Sequence, residues 1–236
     1  VHGVRQGVTA ARIAPVLCAS AARAIGVDRL LSFIAEGLPA PTERPHVTVL
    51  SRIGDEVERP ATAEAPLTAF VFKTISDPYV GHITMFRVFS GRMRPDSAAF
   101  NATKGVEERV GQLFTLRGKE HEPVPEVPAG DIGAVAKLAH TTTGDTFSTK
   151  EDPVQLSPLQ MPEPLLAYAL APKTKGDEDK LSTALARLLE EDPTLRVERS
   201  EETHETVIYG MGEAHLDVVI ERMKRKFGVE VSTAPA

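Results

Sequence analysis

The sequence predicts a multidomain chain: a β-barrel followed by an α+β ferredoxin-like sandwich, preceded by a single βα unit left from an α/β domain. From about Pro66 to Asp152, short strands are interrupted by Gly, Pro and Asp, which is typical of a small closed barrel. Beyond that stretch the predicted order is β-α-β-β-α-β, which right-handed crossovers fold into two helices on one face of an antiparallel sheet. We predict domain boundaries at residues 1–45, 46–158 and 159–236.

Composition is that of an ordinary globular protein. Of 236 residues, 42% are hydrophobic and 25% are charged, and the formal net charge is -6. Any contact with nucleic acid must therefore come from local basic patches. The single cysteine, Cys18, excludes an internal disulfide and fits a reduced, cytoplasmic setting. No apolar run reaches the roughly 20 residues that span a bilayer, and the amino terminus has neither a signal peptide nor a starting methionine, which predicts a piece of a longer protein.

The first 45 residues predict one strand and one helix. The apolar run from Ile13 to Ala19 predicts a buried strand, and a helical stripe follows it at Val27, Leu30, Leu31, Ile34 and Leu38. One strand and one helix cannot bury their apolar faces alone, so this is expected to be the last βα unit of a domain. Three prolines then predict a stiff linker: Pro39, Pro41 and Pro45.

The strands predicted for the barrel are Leu67–Thr74, Ile83–Phe89, Val110–Leu116, Ile132–Leu138 and Thr146–Ser148. Proline donates no backbone hydrogen bond, so Pro123, Pro125 and Pro128 predict an edge strand or a loop in that region.

The last third predicts strands at Leu165–Ala171, Leu195–Arg199, Thr206–Gly210 and Val229–Ser232. A helix with Asp177 as its N-cap lies between the first two strands. The second helix spans Gly210 to Gly228 and carries an apolar stripe: Leu216, Val219, Ile220, Met223 and Phe227. Basic residues crowd its last turns, where they complement the helix dipole, and Gly228 supplies a left-handed end.

The sequence predicts no catalytic site in this chain. It has neither a phosphate-binding Gly-x-x-x-x-Gly-Lys-Ser/Thr loop nor a Cys pair or His-x-x-x-His zinc motif. His215 and Asp217 are two residues apart on a helix and so do not face each other. His204 lies in a polar turn and is predicted to be solvated.

Basic residues in the barrel allow two interpretations. Arg87, Arg92, Lys104, Arg117 and Lys119 are spread over strands and loops. Each is either part of a solvated charged surface or one of a group of contacts to the phosphates of a structured RNA, which is recognised largely by backbone and shape.

Several long stretches together resemble elongation factor G. They are ISDPYVGHITMFRVFSG (Ile75 to Gly91), PAGDI (Pro128 to Ile132), TTTGDT (Thr141 to Thr146), PKTKGDEDK (Pro172 to Lys180), LARLLEEDPTLRV (Leu185 to Val197) and GMGEAHLDVVIERMKRKF (Gly210 to Phe227). The earlier APVLCASAARAIGVDRLLSFIAEGLP resembles the end of that family's G domain, with Cys18 to Ala21 at its last guanine-recognition motif.

The resemblance implies a fragment that contains the tail of the G domain, the barrel that is domain II, and the ferredoxin-like domain III. It further implies a monomeric, cytoplasmic ribosome-binding translational GTPase, with contacts to small-subunit RNA and to its own G domain and none to a membrane. GTP and Mg²⁺ would bind the longer protein and not this piece. Ser20 and Ala21 would meet the guanine base through backbone amides. The residues expected to contact the ribosome are Arg87, Arg92, Lys104, Arg117, Lys119, Arg222, Lys224 and Arg225.

One barrel loop departs from the family. Common members read close to HANKRE where this chain has RGKEHE, Arg117 to Glu122. The departure favours a divergent paralogue, which would bind the ribosome for protection, rescue or recycling instead of translocation. A third interpretation is a protein–protein adaptor whose basic residues only solubilise its surface.

Overall fold

The computed structural model describes residues 2–77, 80–118, 120–200 and 205–235, without the side chains of His2 and Asp179. Lys119, expected to contact the ribosome, and His204, predicted to be solvated, lie outside the described residues. No helix among the described residues is long and apolar enough to cross a membrane.

The amino-terminal part contains helices α1, His2–Thr9, and α2, Val27–Gly37, followed by a 3-10 turn at Pro41–Glu43. The helix predicted over this stretch is confirmed as α2. The buried strand predicted at residues 13–19 is wrong: these residues form no strand, and Val16 is 91% exposed. An apolar run becomes a buried strand only where a neighbouring strand pairs with it, and no described strand pairs with residues 13–19.

A small three-stranded sheet connects this part to the barrel. Its strands are β1, His46–Ser51, and β2, Glu56–Pro60, with β13, Val154–Gln155, from the far end of the barrel. The sequence pattern did not predict β1 and β2.

The predicted barrel is confirmed as a curled antiparallel sheet, a half-barrel of eight strands in the order β7-β6-β12-β3-β4-β11-β8-β9. The bounds are β3 Thr68–Asp77, β4 Gly81–Ser90, β6 Ser97–Asn101, β7 Val106–Val110, β8 Leu113–Arg117, β9 Glu120–Pro123, β11 Ile132–Ala136 and β12 Thr146–Ser148. A separate short pair joins β5, Arg92–Met93, to β10, Val127–Pro128. Buried Val71, Phe86, Val88, Leu113 and Phe147 fill the inner face.

Three details of the barrel differ from the sequence pattern or follow from it. The single strand predicted over Val110–Leu116 is two strands, because Gly111 and Gln112 separate β7 from β8. Pro123 ends the edge strand β9, as the prolines predicted. Gly91 follows β4 at φ 73°, and a Cβ there would lie 2.6 Å from the carbonyl oxygen of Ala65, so only glycine fits this turn.

The ferredoxin-like sandwich is confirmed. Its elements are β14 Leu166–Pro172, α3 Lys175–Glu191, β15 Arg196–Arg199, β16 Thr206–Gly210, α4 Glu213–Phe227 and β17 Val231–Pro235. The sheet is antiparallel in the order β15-β16-β14-β17. Leu188 of α3 and Leu216 and Met223 of α4 are buried in the core that the helices share with this sheet.

The N-cap of α3 is Thr174 and not Asp177. The Thr174 Oγ1 accepts a hydrogen bond from the backbone N–H of Asp177 at 3.2 Å and donates to its carboxylate at 2.7 Å. Asp177 therefore occupies the third helical position, where a carboxylate complements the helix dipole.

Candidate functional site

The end of α4 presents the basic cluster that the sequence singled out: Arg222, Lys224, Arg225 and Lys226. Gly228 ends the helix at φ 65°, and its N–H donates to the carbonyl of Lys224 at 3.1 Å. The cations therefore lie beside the negative end of the helix dipole, which favours them there.

Surface ion pairs engage part of this cluster. Lys224 lies 3.0 Å from Glu230, and Arg225 lies 3.3 Å from Glu221 one turn earlier. The Arg222 side chain has neither an ion pair nor a hydrogen bond within the described ranges. Exposed pairs of this kind contribute little, typically about 0–1 kcal/mol, so these cations can exchange their partners for a ligand.

A groove of about 510 Å³ separates this helix end from strand β3 of the half-barrel. We call it the junction groove, and its lining residues are Lys73, Thr74, Ile75, Glu191, Arg222, Arg225 and Lys226. Four of these side chains are basic and one is acidic. The Lys73 side chain, like that of Arg222, has no polar partner in the part of the chain that the structure describes. The groove is thus a basic surface to which both domains contribute.

Polar contacts at the floor of the junction groove hold the two domains together. The Glu191 carboxylate, at the end of α3, accepts the backbone N–H of Ser76 at 2.7 Å and the ammonium of Lys226. The Thr74 hydroxyl donates to the carbonyl of Glu190 at 2.5 Å. Strand β3, helix α3 and helix α4 therefore share one hydrogen-bonded network.

A buried carboxylate organises the loop that carries the TTTGDT stretch. Glu108, 6% exposed, accepts the backbone N–H groups of Ala139 and His140 at 2.9 and 2.8 Å and the hydroxyl of Thr141 at 2.8 Å. Burial by itself would raise the pKa of Glu108, but these hydrogen bonds outweigh it and lower the pKa below its ordinary value.

Asp145 fixes the other side of the same loop. Its Oδ2 accepts from the Asn101 amide at 2.9 Å and from the backbone N–H of Thr142 at 2.8 Å, and it lies 3.2 Å from the Lys104 ammonium. Lys104 also donates to the Thr142 hydroxyl at 2.8 Å. The Lys104 ammonium, expected from sequence to contact RNA, is therefore engaged with this loop.

Arg92 is also engaged within the barrel. Its guanidinium donates to the carbonyl of Ala63 at 3.0 Å and to the carboxylates of Glu126 at 2.9 Å and Glu64 at 3.0 Å. These bonds tie the start of β5 to two neighbouring segments, which favours a structural role for this side chain.

The remaining barrel positions differ in exposure. Arg117 is 80% exposed, with Glu122 at 3.4 Å across the β8–β9 hairpin. Arg87 is half-buried, and its guanidinium carbon lies 5.4 Å from the centre of the Phe89 ring. Arg117 is thus accessible to a large partner. Arg87 instead lines a cavity, which is described below.

Comparison with known proteins identifies the family of this chain. The model of elongation factor G domain 2 matches residues 66–150, and the model of Elongation Factor G, domain III, matches residues 161–235. The chain belongs to the elongation factor G family. A crystal structure of a protein from Thermus thermophilus matches it with a TM-score of 0.79 and 34% sequence identity, over 99% of this chain and 33% of that one. The chain thus spans about a third of that relative's length.

The junction groove lies between the two elongation factor G domains. Lys73 falls within the part that matches domain 2, whereas Glu191, Arg222 and Arg225 fall within the part that matches domain III. Residues 1–65 lie outside both matched ranges, so the assignment of residues 1–45 to a G-domain remnant stays a prediction.

Ser20 and Ala21 form a tight turn in this elongation factor G chain. The Ser20 N–H donates to the carbonyl of Ile25 at 2.9 Å, and the Ile25 N–H donates to the carbonyl of Ser20 at 3.1 Å. Ala24 and Gly26 take positive φ angles, 51° and 73°, to close the turn. The Ser20 amide that was expected to meet a guanine base is therefore used inside the turn.

His215 links the two helices of domain III. The Met211 N–H donates to its Nδ1 at 3.1 Å, which leaves the proton on Nε2, 3.0 Å from the Asp192 carboxylate. Asp217, the other half of the pair considered from sequence, is exposed. No group of three or more potential metal ligands occurs among the residues for which placement is described.

The Asp192 carboxylate makes this link sensitive to pH. Burial would raise the pKa of Asp192, but hydrogen bonds from Thr194 and His215 outweigh it and lower the pKa. A carboxylate with a depressed folded-state pKa contributes stability above its unfolded pKa of about 3.9, and that stability is lost as the pH falls through the folded pKa. We expect the difference in free energy of unfolding between the wild type and Asp192→Asn to shrink below about pH 4. Urea unfolding at a series of pH values measures it.

Asp217→Asn is the matched control, because Asp217 is an exposed carboxylate on α4. It should change the free energy of unfolding by less than about 0.5 kcal/mol. A difference between the wild type and Asp192→Asn that stayed constant down to pH 2 would contradict the proposed contribution of Asp192.

Proposed function

We propose that this chain is the ribosome-binding segment, domains II and III, of a longer translational GTPase of the elongation factor G type, which couples GTP hydrolysis to movement of tRNA and mRNA. The observation that carries the proposal is the match of both domain models, in order, to one chain. The 34% identity over nearly the whole chain supports it further.

The junction groove supplies the contacts to ribosomal RNA in this proposal. Phosphate contacts need cations that are accessible and not tied to acids. Lys73 and Arg222 meet that condition, and Lys224 and Arg225 hold only exposed surface pairs. Of the barrel residues expected from sequence, Arg117 fits this role best, since Arg92 and Lys104 are bound to neighbouring loops.

The polar network around Glu191 is suited to transmit movement between domains II and III. It joins β3 of domain II to α3 and α4 of domain III, so displacement of one domain acts directly on the other. A contiguous hydrogen-bonded network of this kind can carry coupling between two domains.

GTP and Mg²⁺ belong to the longer protein in this proposal. In this chain the Ser20 amide already donates to Ile25, so the turn by itself offers little to hold a nucleotide. We therefore assign no step of hydrolysis to residues of this chain. The longer protein is proposed to act as a cytoplasmic monomer, with the G domain packed against domains II and III.

Charge reversal in the junction groove tests the proposal. We expect Lys73→Glu and Arg222→Glu each to weaken co-sedimentation of the chain with ribosomes by about tenfold, because each replaces a phosphate contact with a repulsion. The affinity of the wild type should fall steeply as salt rises. Sedimentation assays over a range of ribosome and salt concentrations measure both effects.

Arg52→Glu is the matched control, since Arg52 is an exposed arginine of the β1–β2 hairpin outside the groove. It carries the same change of charge and should leave sedimentation unchanged. Equal weakening by Arg52→Glu would mean that only net charge matters. Ribosome binding that was unchanged by both groove variants and by salt would instead favour the interpretation as a protein–protein adaptor.

A paralogous factor without translocase activity is the second candidate. The observation that favours it is the β8–β9 hairpin, where RGKEHE replaces the family's common HANKRE. Complementation separates the two candidates: the longer protein should restore growth to a strain depleted of its translocase if it is a translocase, and should fail to do so if it is a paralogue that still binds ribosomes.

A further inference from the structure

A second cavity lies where the proline-rich linker crosses the half-barrel. Its volume is about 410 Å³, within the range of about 300–1,000 Å³ that is common for small-molecule sites. We call it the linker cavity. It is lined by Pro39, Ala40 and Pro41 of the linker and by Arg87, Val88 and Phe89 of β4.

Three nitrogen-bearing side chains line the linker cavity without partners. They are Arg44, His46 and Arg87, and no acidic residue is among the lining residues. None of the three side chains has an ion pair or a hydrogen bond to any residue that the structure describes. The cavity is therefore a site of uncompensated positive charge.

Of the three side chains, Arg87 gives the strongest indication that the cavity binds an anion. Its Nε is buried and has no hydrogen-bond acceptor among the described residues, while the guanidinium lies over the Phe89 ring at 5.4 Å. A buried N–H donor without an acceptor costs free energy. An anionic oxygen entering the cavity would remove that cost and would pair with a planar fork of donors that suits phosphate.

The linker is held against the sheet at this position. Gly130 has φ 94°, and a Cβ there would lie 3.1 Å from Pro41 and 3.2 Å from Thr42. Its N–H donates to the carbonyl of Val88 at 2.7 Å. Glu43 accepts the N–H of Ala40 at 2.9 Å, which closes the turn. The linker side of the cavity is thus formed by a fixed turn.

We infer that the linker cavity binds a phosphorylated small molecule of nucleotide size. Its phosphate would accept hydrogen bonds from Arg87 and Arg44, and its planar group would pack between the linker prolines and the sheet. A helical RNA is too wide to enter a cavity of this volume, so the site differs from the open junction groove. The inference does not depend on ribosome binding.

The probe is AMP, with adenosine as the uncharged control, added to the full chain. We expect AMP to shift the NMR resonance of the Arg87 Nε–H group and to bind in calorimetry, and adenosine to do neither. Arg87→Met and Arg44→Met should each weaken AMP binding by about tenfold or more, the cost of one charge-assisted pair.

Arg52→Met is the matched control, because it removes an arginine of the neighbouring hairpin that does not line the cavity. It should bind AMP like the wild type. Arg87→Lys keeps the charge and should retain part of the affinity, and its thermal unfolding reports whether this position tolerates change. If Arg87→Met does not fold, the AMP affinity of Arg44→Met, a change at an exposed position, tests the inference instead. Absence of AMP binding to the wild type, equal binding of adenosine, or unchanged affinity in Arg44→Met would overturn the inference.

Discussion

Replacing Glu108 with alanine should lower the free energy of unfolding by about 3 kcal/mol or more, since each of three hydrogen-bond donors left without an acceptor costs about 1–3 kcal/mol. Those donors are the N–H groups of Ala139 and His140 and the hydroxyl of Thr141. Glu108 as a whole is 6% exposed, so water cannot readily replace its carboxylate. Urea unfolding followed by circular dichroism measures the loss.

Glu107→Ala is the control, because Glu107 is the exposed neighbour on β7 and holds only a surface pair with Lys150. Its effect should stay below about 1 kcal/mol. The depressed pKa of Glu108 adds a pH test: its contribution is present above the ordinary glutamate pKa of about 4.3 and is lost as the pH falls through the folded pKa. Equal effects of Glu107→Ala and Glu108→Ala at neutral pH would refute the role assigned to Glu108.

The periodicity of the sequence predicts the domain III sandwich well, because each element there buries one face in a shared core. The stripe of α4 is confirmed by the burial of Leu216, Val219 and Met223, and Gly228 ends the helix in the left-handed conformation that glycine favours. Local pattern and tertiary packing agree in this domain, so element type and order follow from sequence.

Periodicity does not predict the structure where the burial of a segment depends on a partner strand. Residues 13–19 are as apolar as a buried strand, yet Val16 is 91% exposed, since no described strand pairs with this run. Strands β1 and β2 were missed for the opposite reason. Strand β2 alternates between exposed and half-buried residues, and β1 carries a single fully buried residue, Val49. Their stability comes mainly from pairing with each other and with β13.

The candidate site was predicted only in part. The basic end of α4 is visible in the sequence, but Lys73 and Glu191 are distant in the chain and meet only when the two domains pack. Charge alone also could not separate Lys104 and Arg92, whose donors are engaged, from Arg117, which is exposed. The acidic partners of these two side chains, Asp145 for Lys104 and Glu126 for Arg92, can be identified only from the folded structure.

Leu216→Ala should destabilise domain III by about 2–5 kcal/mol, the usual cost of a leucine truncated in a packed core. Leu216 is fully buried, in the cluster that also contains Leu188, Ile208 and Met223. Val218→Ala on the same helix is the matched control: Val218 is 50% exposed, so its truncation should cost under about 1 kcal/mol. Urea unfolding, with hydrogen exchange of the α4 amides to localise the effect, compares the two variants. Should Val218→Ala prove as costly as Leu216→Ala, α4 would present a different face to the sheet, and the basic residues at its end could not line the junction groove as described.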